Sequence, residues 1–99
     1  MIEVQVHEPI EEFGRRSDVT PIRPERLDPL TDRERDTVRL AAYGLSNDEI
    51  ARELVISPLT AKTHLNRAMT KLGARDRAQL VIVAYETGLA RIGERHNSE

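Results

Sequence analysis

The 99-residue chain has no cysteine and no tryptophan, and only two tyrosines and one phenylalanine. Without cysteine there is no disulfide framework, no thiolate-bound zinc and no thiol catalysis. With aromatics at 3% the core must be built from Leu, Ile, Val and Ala. Such a core is thin in so short a chain, and base stacking on single strands has no platform. Long apolar runs are missing too. The longest, Leu80 to Tyr85, is far too short to span a bilayer. Glu3 stands where a secretory leader would carry positive charge, so a cytoplasmic location without membrane contact is expected. No nucleophile, base and orienting group fall together on one face. An enzyme is not expected, and neither a cofactor, a metal nor a small-molecule ligand is implied.

A basic balance is also lacking, since the net charge is −2. Its distribution along the chain tells more. Residues 1–36 carry −4, residues 37–56 carry −1, residues 57–77 carry +4, and residues 78–99 carry −1. The positive charge is confined to one window, which holds Lys62, Arg67, Lys71, Arg75 and Arg77 against the single acid Asp76. That is the footprint of a polyanion-binding segment in an otherwise acidic chain.

Residues 1–26 read as a poorly ordered tail and linker. Ile2, Val4 and Val6 alternate like a strand, but no second strand follows. Pro9, Gly14, Pro21 and Pro24 then punctuate a short helical piece and a linker. From residue 27 to 90 the chain predicts a folded all-α unit, with residues 91–99 as a second tail. Four helix starts are legible. Thr31 with Glu34, Ser46 with Glu49 and Asp76 with Gln79 form capping-box patterns. Ser57 with Pro58 opens the third helix, which should end at Leu72 before Gly73. Gly44 and Gly88 are the expected stops of the first and fourth helices. Ala61, Leu65, Ala68 and Leu72 lie on one stripe of the third helix. The fourth helix is apolar on more than one side through Leu80, Val81, Val83 and Ala84, so a partner subunit is expected to cover part of it.

The turn Val55-Ile56-Ser57 is short enough to set the second and third helices at a steep angle, which projects the third outward. Opposite its apolar stripe, helical projection clusters Leu59, Lys62, Thr63 and Asn66, with Thr70 nearby. These are candidates for reading base edges in a major groove. His64, Arg67 and Lys71 lie toward the flanks, where phosphates would be met. No acid occurs between Pro58 and Arg75. An acid in the first turn would favour the helix dipole but repel a nucleic-acid backbone. The amides near Ser57 and Thr60 are therefore left for phosphate oxygens. Ser46 and Asn47 offer a second such anchor, and Arg75 and Arg77 a third.

Taken together, Leu30-Thr31-x-Arg33-Glu34-Arg35, Gly44-Leu45-Ser46-Asn47-x-Glu49-Ile50-Ala51, Leu54-x-Ile56-Ser57, Thr60-x-Lys62-Thr63-His64-Leu65 and Lys71-Leu72-Gly73 resemble LuxR-type helix-turn-helix domains. Domains of that type are the output domains of FixJ/NarL-like response regulators and of quorum-sensing regulators. The resemblance implies a four-helix domain with its third helix in the major groove of double-stranded DNA. It also implies a two-fold homodimer contact through the fourth helix, and RNA polymerase as a further partner. By the same resemblance Lys62, Thr63 and Asn66 match base-reading positions. Ser46, Asn47, Thr60, His64, Arg67, Lys71 and Arg77 match positions that meet the backbone. Thr37 and Ala61 stand where such domains usually have Val, and Ala68 where they have a larger aliphatic. The stretch Ile10 to Arg16 looks like the end of a receiver domain followed by its linker. No room remains for the receiver itself, so a fragment or a free-standing output domain is expected. Two alternatives are a sigma-factor-like promoter-binding domain and a helical protein-interaction module without DNA affinity.

Overall fold

The computed structural model describes residues 23–94. The strand-like alternation at Ile2, Val4 and Val6, the piece around Ile10 to Arg16, and the last five residues lie outside them. A short 3-10 turn, Pro24–Leu27, leads into four α-helices: α1 (Asp32–Ala42), α2 (Asn47–Leu54), α3 (Pro58–Leu72) and α4 (Arg77–Glu86). The described residues contain no strand. The all-α expectation holds, with α4 ending at the Thr87 cap just ahead of Gly88.

Each helix begins where a side chain can satisfy amides that have no intrahelical acceptor. At α1, the Glu34 amide donates to Thr31 Oγ1 at 3.1 Å, and the Thr31 amide donates to Glu34 Oε1 at 2.9 Å. The Ser46/Glu49 box of α2 has the corresponding pair at 2.8 and 3.2 Å. At α3, Ser57 Oγ accepts from the Thr60 amide at 3.0 Å, and no acid lies in the first turn. The Asp76 box of α4 is displaced by one residue. Asp76 caps the Gln79 amide, but Gln79 Oε1 accepts from the Arg75 amide instead of from that of Asp76.

The helix ends follow the same logic. Gly44 and Gly73 have φ of 96° and 71°, the left-handed conformation that lets the next amide reach back five residues. Leu45 N–H bonds Leu40 O at 3.1 Å, and Ala74 N–H bonds Met69 O at 2.9 Å. Helix α2 closes identically, with Ile56 N–H on Ala51 O at 3.0 Å, but the left-handed position there is Val55, at φ 59° and ψ 52°. A β-branched residue in this region is a strained outlier. Val55 is also 87% exposed, so no packing offsets the cost.

The core is small and aliphatic. Helix α1 packs against α2, α3 and α4, and α2 packs against α3. Val38, Ile50, Ala68, Leu80 and Ala84 are fully enclosed, with Leu27, Leu30, Leu65 and Leu72 around them. Ala61 and Ala68, small residues at positions expected to carry larger side chains, are both buried on the inner face of α3. Thr37 is buried too, with its hydroxyl donating to Arg33 O at 2.8 Å. A threonine there fills a valine-shaped space without leaving a polar atom unmatched. The 3-10 turn carries Leu27 into the core, so the folded unit reaches upstream of residue 27.

Candidate nucleic-acid interface

Helix α3 divides cleanly into two faces. Ala61, Leu65, Ala68 and Leu72 are buried, forming the stripe expected from their spacing. On the other side Lys62, Asn66, Arg67 and Thr70 are exposed, Thr63 is half-buried, and Leu59 is 72% exposed. The structure therefore brings Leu59, Lys62, Thr63 and Asn66 together on one open face. The Thr63 and Thr70 hydroxyls donate to the carbonyls of Leu59 and Asn66 at 3.0 and 3.1 Å. Their oxygens keep lone pairs for acceptance and their methyls remain for apolar contact.

The start of α3 holds Ser57 Oγ on Thr60 Oγ1 at 2.9 Å as well as on the Thr60 amide. Both hydroxyls are thus ordered at an acid-free helix N-terminus, where the dipole favours an anion. His64 is half-buried, and its Nδ1 is enclosed with no hydrogen-bond partner among the described residues. Any outward contact from this ring must therefore use Nε2.

A second cluster joins α4 to the start of α2. Arg77 donates from Nη1 to Asn47 Oδ1 at 2.9 Å and from Nη2 to Leu45 O at 2.6 Å. Gly44, Leu45, Ser46, Asn47, Asp48 and Arg77 line an open cavity of about 520 Å³ at this N-terminus. Arg77 and Asn47, expected separately at the backbone, are here one unit. The guanidinium orders the loop ahead of α2 while keeping its charge beside the Ser46 amide end. Arg75 stays exposed nearby.

Lys71 differs from expectation. Its Nζ donates to Glu34 Oε1 at 2.8 Å, with the lysine side chain 34% exposed and the glutamate side chain 3% exposed. Burial alone would raise the Glu34 pKa. The Lys71 ammonium and the Thr31 amide and hydroxyl outweigh it and hold the carboxyl below its usual range. The capping bond from the Ser46 amide likewise lowers Glu49. Glu34, read from sequence only as a cap, is thus the buried anchor of the far end of α3. Its signal was present: Glu34, Val38 and Ala41 share the inward stripe of α1.

The residues expected at a dimer contact also need correction. Leu80 and Ala84 are fully buried and Val83 is 7% exposed, all within this chain's own core. Side chains already packed inside the monomer have no area left for a partner. Of the four, Val81 alone keeps exposure. Helix α4 instead opens Ala78 and Ile82 outward, Ile82 at 55%, with Val81 and Tyr85 half-buried beside them. Sequence reading missed Ile82 because it sits within an unbroken apolar run.

Among the described residues no helix is long and apolar enough to cross a membrane, and no group of three His, Asp or Glu residues could hold a metal ion.

The family model for bacterial regulatory proteins of the luxR family matches residues 28–84. The transcriptional regulatory protein YxjL of Bacillus subtilis is 42% identical over 65 residues, covering 66% of this chain and 30% of that protein. The response regulator VraR of Staphylococcus aureus is 42% identical over 67 residues, covering 68% and 32%. A putative HTH-type transcriptional regulator of Mycobacterium bovis is 51% identical over 59 residues, covering 60% and 7%. The chain thus spans less than a third of the length of these relatives. Among solved structures, full-length FixJ from B. japonicum superposes with a TM-score of 0.60 at 31% identity, covering 87% of this chain and 41% of FixJ.

Proposed function

The chain belongs to the luxR family of bacterial regulatory proteins, as a DNA-binding domain of a transcriptional regulator and not as an enzyme, and on that premise we propose that α3 enters the major groove of double-stranded DNA. Lys62, Thr63 and Asn66, with Leu59 beside them, read base edges. Lysine donates to guanine acceptors, asparagine matches adenine, and the leucine and threonine methyls suit the thymine methyl. Ser57, Thr60, His64 and Arg67 meet phosphates flanking the groove. The Ser46-Asn47 end of α2, with Arg77 and Arg75, grips the backbone elsewhere. Such contacts position the domain and carry no base information. Lys71 serves first as the tie to Glu34.

The observation that supports this reading most is the face opposite the buried stripe of α3. It is open, basic and free of acid, in a chain whose net charge is negative. A sigma-factor-like domain shares the layout, but the family match is to the luxR type. Two copies pair on DNA through the outer face of α4, where Ala78, Val81, Ile82 and Tyr85 form the apolar strip that the core leaves uncovered. RNA polymerase remains a partner of the whole regulator in this reading.

Binding to a duplex measured across a salt series tests the proposal. Log affinity should fall with log salt at roughly 0.9 per phosphate neutralised. Affinity that ignores salt, or no duplex binding at low salt, would contradict it.

A further inference from the structure

The C-terminal end of α3 is held from outside the helix-turn-helix. Closure at Gly73 and Ala74 satisfies the carbonyls of Thr70 and Met69, but that of Leu72, the last residue of α3, lies beyond their reach. It accepts from Arg26 Nη2 at 2.8 Å, across 46 residues. Arg26 sits in the Pro24–Leu27 turn, ahead of α1. The contact places a cation on the negative end of the α3 dipole, where it is favourable. The turn itself is fastened to α1, since Arg35 Nη2 donates to Leu27 O at 2.9 Å and Leu27 and Leu30 are buried. Beside it Lys71 is tied to Glu34 of α1. The residue before the turn, Arg23, is left-handed at φ 56°, so the chain bends sharply as it enters.

We propose that Arg26, held in the Pro24–Leu27 turn, is a positioning residue for the DNA-binding face, a strap that ties the end of α3 back to the turn ahead of α1. With Arg26 docked on Leu72, the last turn of α3 is held in register with its reading residues. With Arg26 released, that turn frays and DNA affinity falls. This rests on α3 being the reading helix, since the strap acts on that helix and touches no DNA. Docking and DNA binding are then linked, each favouring the other.

The test compares wild type with Arg26→Gln and Arg26→Lys in two measurements. Amide hydrogen exchange in the DNA-free protein reads residues 69–74, with Ile50 and Ala51 as an internal control of the fold. Duplex affinity is read at two salt concentrations. For Arg26→Gln, exchange at 69–74 should quicken roughly fivefold, in line with the loss of a charge-assisted bond to a partly exposed carbonyl. Ile50 and Ala51 should be unchanged. Affinity should fall roughly threefold to tenfold with the salt slope intact, and Arg26→Lys should recover part of both. Unchanged exchange at 69–74 overturns the strap. Quickened exchange with unchanged affinity overturns its reach to DNA. A loss of affinity with a shallower salt slope makes Arg26 a phosphate contact, which also overturns it. A wild type that binds no duplex defeats the DNA reading, whereas the exchange measurement still reports on the strap by itself.

Discussion

Removing the Lys71 ammonium separates the two roles that a lysine at the end of α3 can have. Glu34 is 2% exposed, and Lys71→Ala leaves its carboxylate only the Thr31 amide and hydroxyl. Deleting one partner of a fully buried ion pair costs about 3–5 kcal/mol. The lysine side chain is 34% exposed, so water can enter where it stood and the figure drops to about 2–3 kcal/mol. For a domain with about 5–15 kcal/mol of total stability that is a large share. Urea unfolding followed by circular dichroism should show a lower midpoint with an unchanged slope. Adding Glu34→Gln to Lys71→Ala should return part of the loss, because the orphaned charge is gone. The alternative is a lysine whose first role is a phosphate. In that case Lys71→Ala would lose less than about 0.5 kcal/mol of stability while its salt slope on DNA fell by roughly one. That outcome would refute the structural assignment.

Val55→Asn should stabilise the fold by about 0.5–1 kcal/mol, because asparagine tolerates the left-handed position and Val55 gives up no packing; a lower unfolding midpoint would refute the strain. Ile82→Glu should leave monomer stability within about 0.5 kcal/mol yet weaken binding to paired sites more than to half-sites, whereas Leu80→Ala should cost about 2–5 kcal/mol by unfolding. Equal losses on both kinds of site for Ile82→Glu would remove α4 from the dimer contact. The folded Glu34 pKa lies below its ordinary value, so its contribution is fully present above the unfolded value and is lost as pH falls through the folded one. The stabilities of wild type and Glu34→Gln should therefore converge in acid, and parallel pH curves would count against the ion pair.

Much of the fold was legible because it is written locally. Thr31, Ser46, Ser57 and Asp76 each cap the helix that follows, and Gly44 and Gly73 end theirs. The stripe from Ala61 to Leu72 needed only the helical period. What escaped reading depends on contacts far apart in sequence. The ion pair of Lys71 was not legible because its partner, Glu34, lies 37 residues away. Arg77 and Asn47 looked like two anchors and are one hydrogen-bonded pair. Helix α4 is apolar around most of its circumference, so periodicity could not tell Leu80, Val83 and Ala84 from the outward Ile82. Val55 carried no signal, since a left-handed turn normally announces itself with glycine. The open face at Leu59, Lys62, Thr63 and Asn66 was the easiest part of the candidate site to foresee, because it is the complement of a well-marked buried stripe.

Selection of bound duplexes from a random pool, run in parallel for wild type and Lys62→Ala, tests the central claim most directly. The account predicts a two-fold symmetric site for the wild type. It predicts relaxed preference at one base position of each half-site in the variant, with discrimination there reduced by about 1–3 kcal/mol. An identical selected sequence for both proteins, with affinity lowered uniformly, would make Lys62 a backbone contact and remove α3 as the reader of bases.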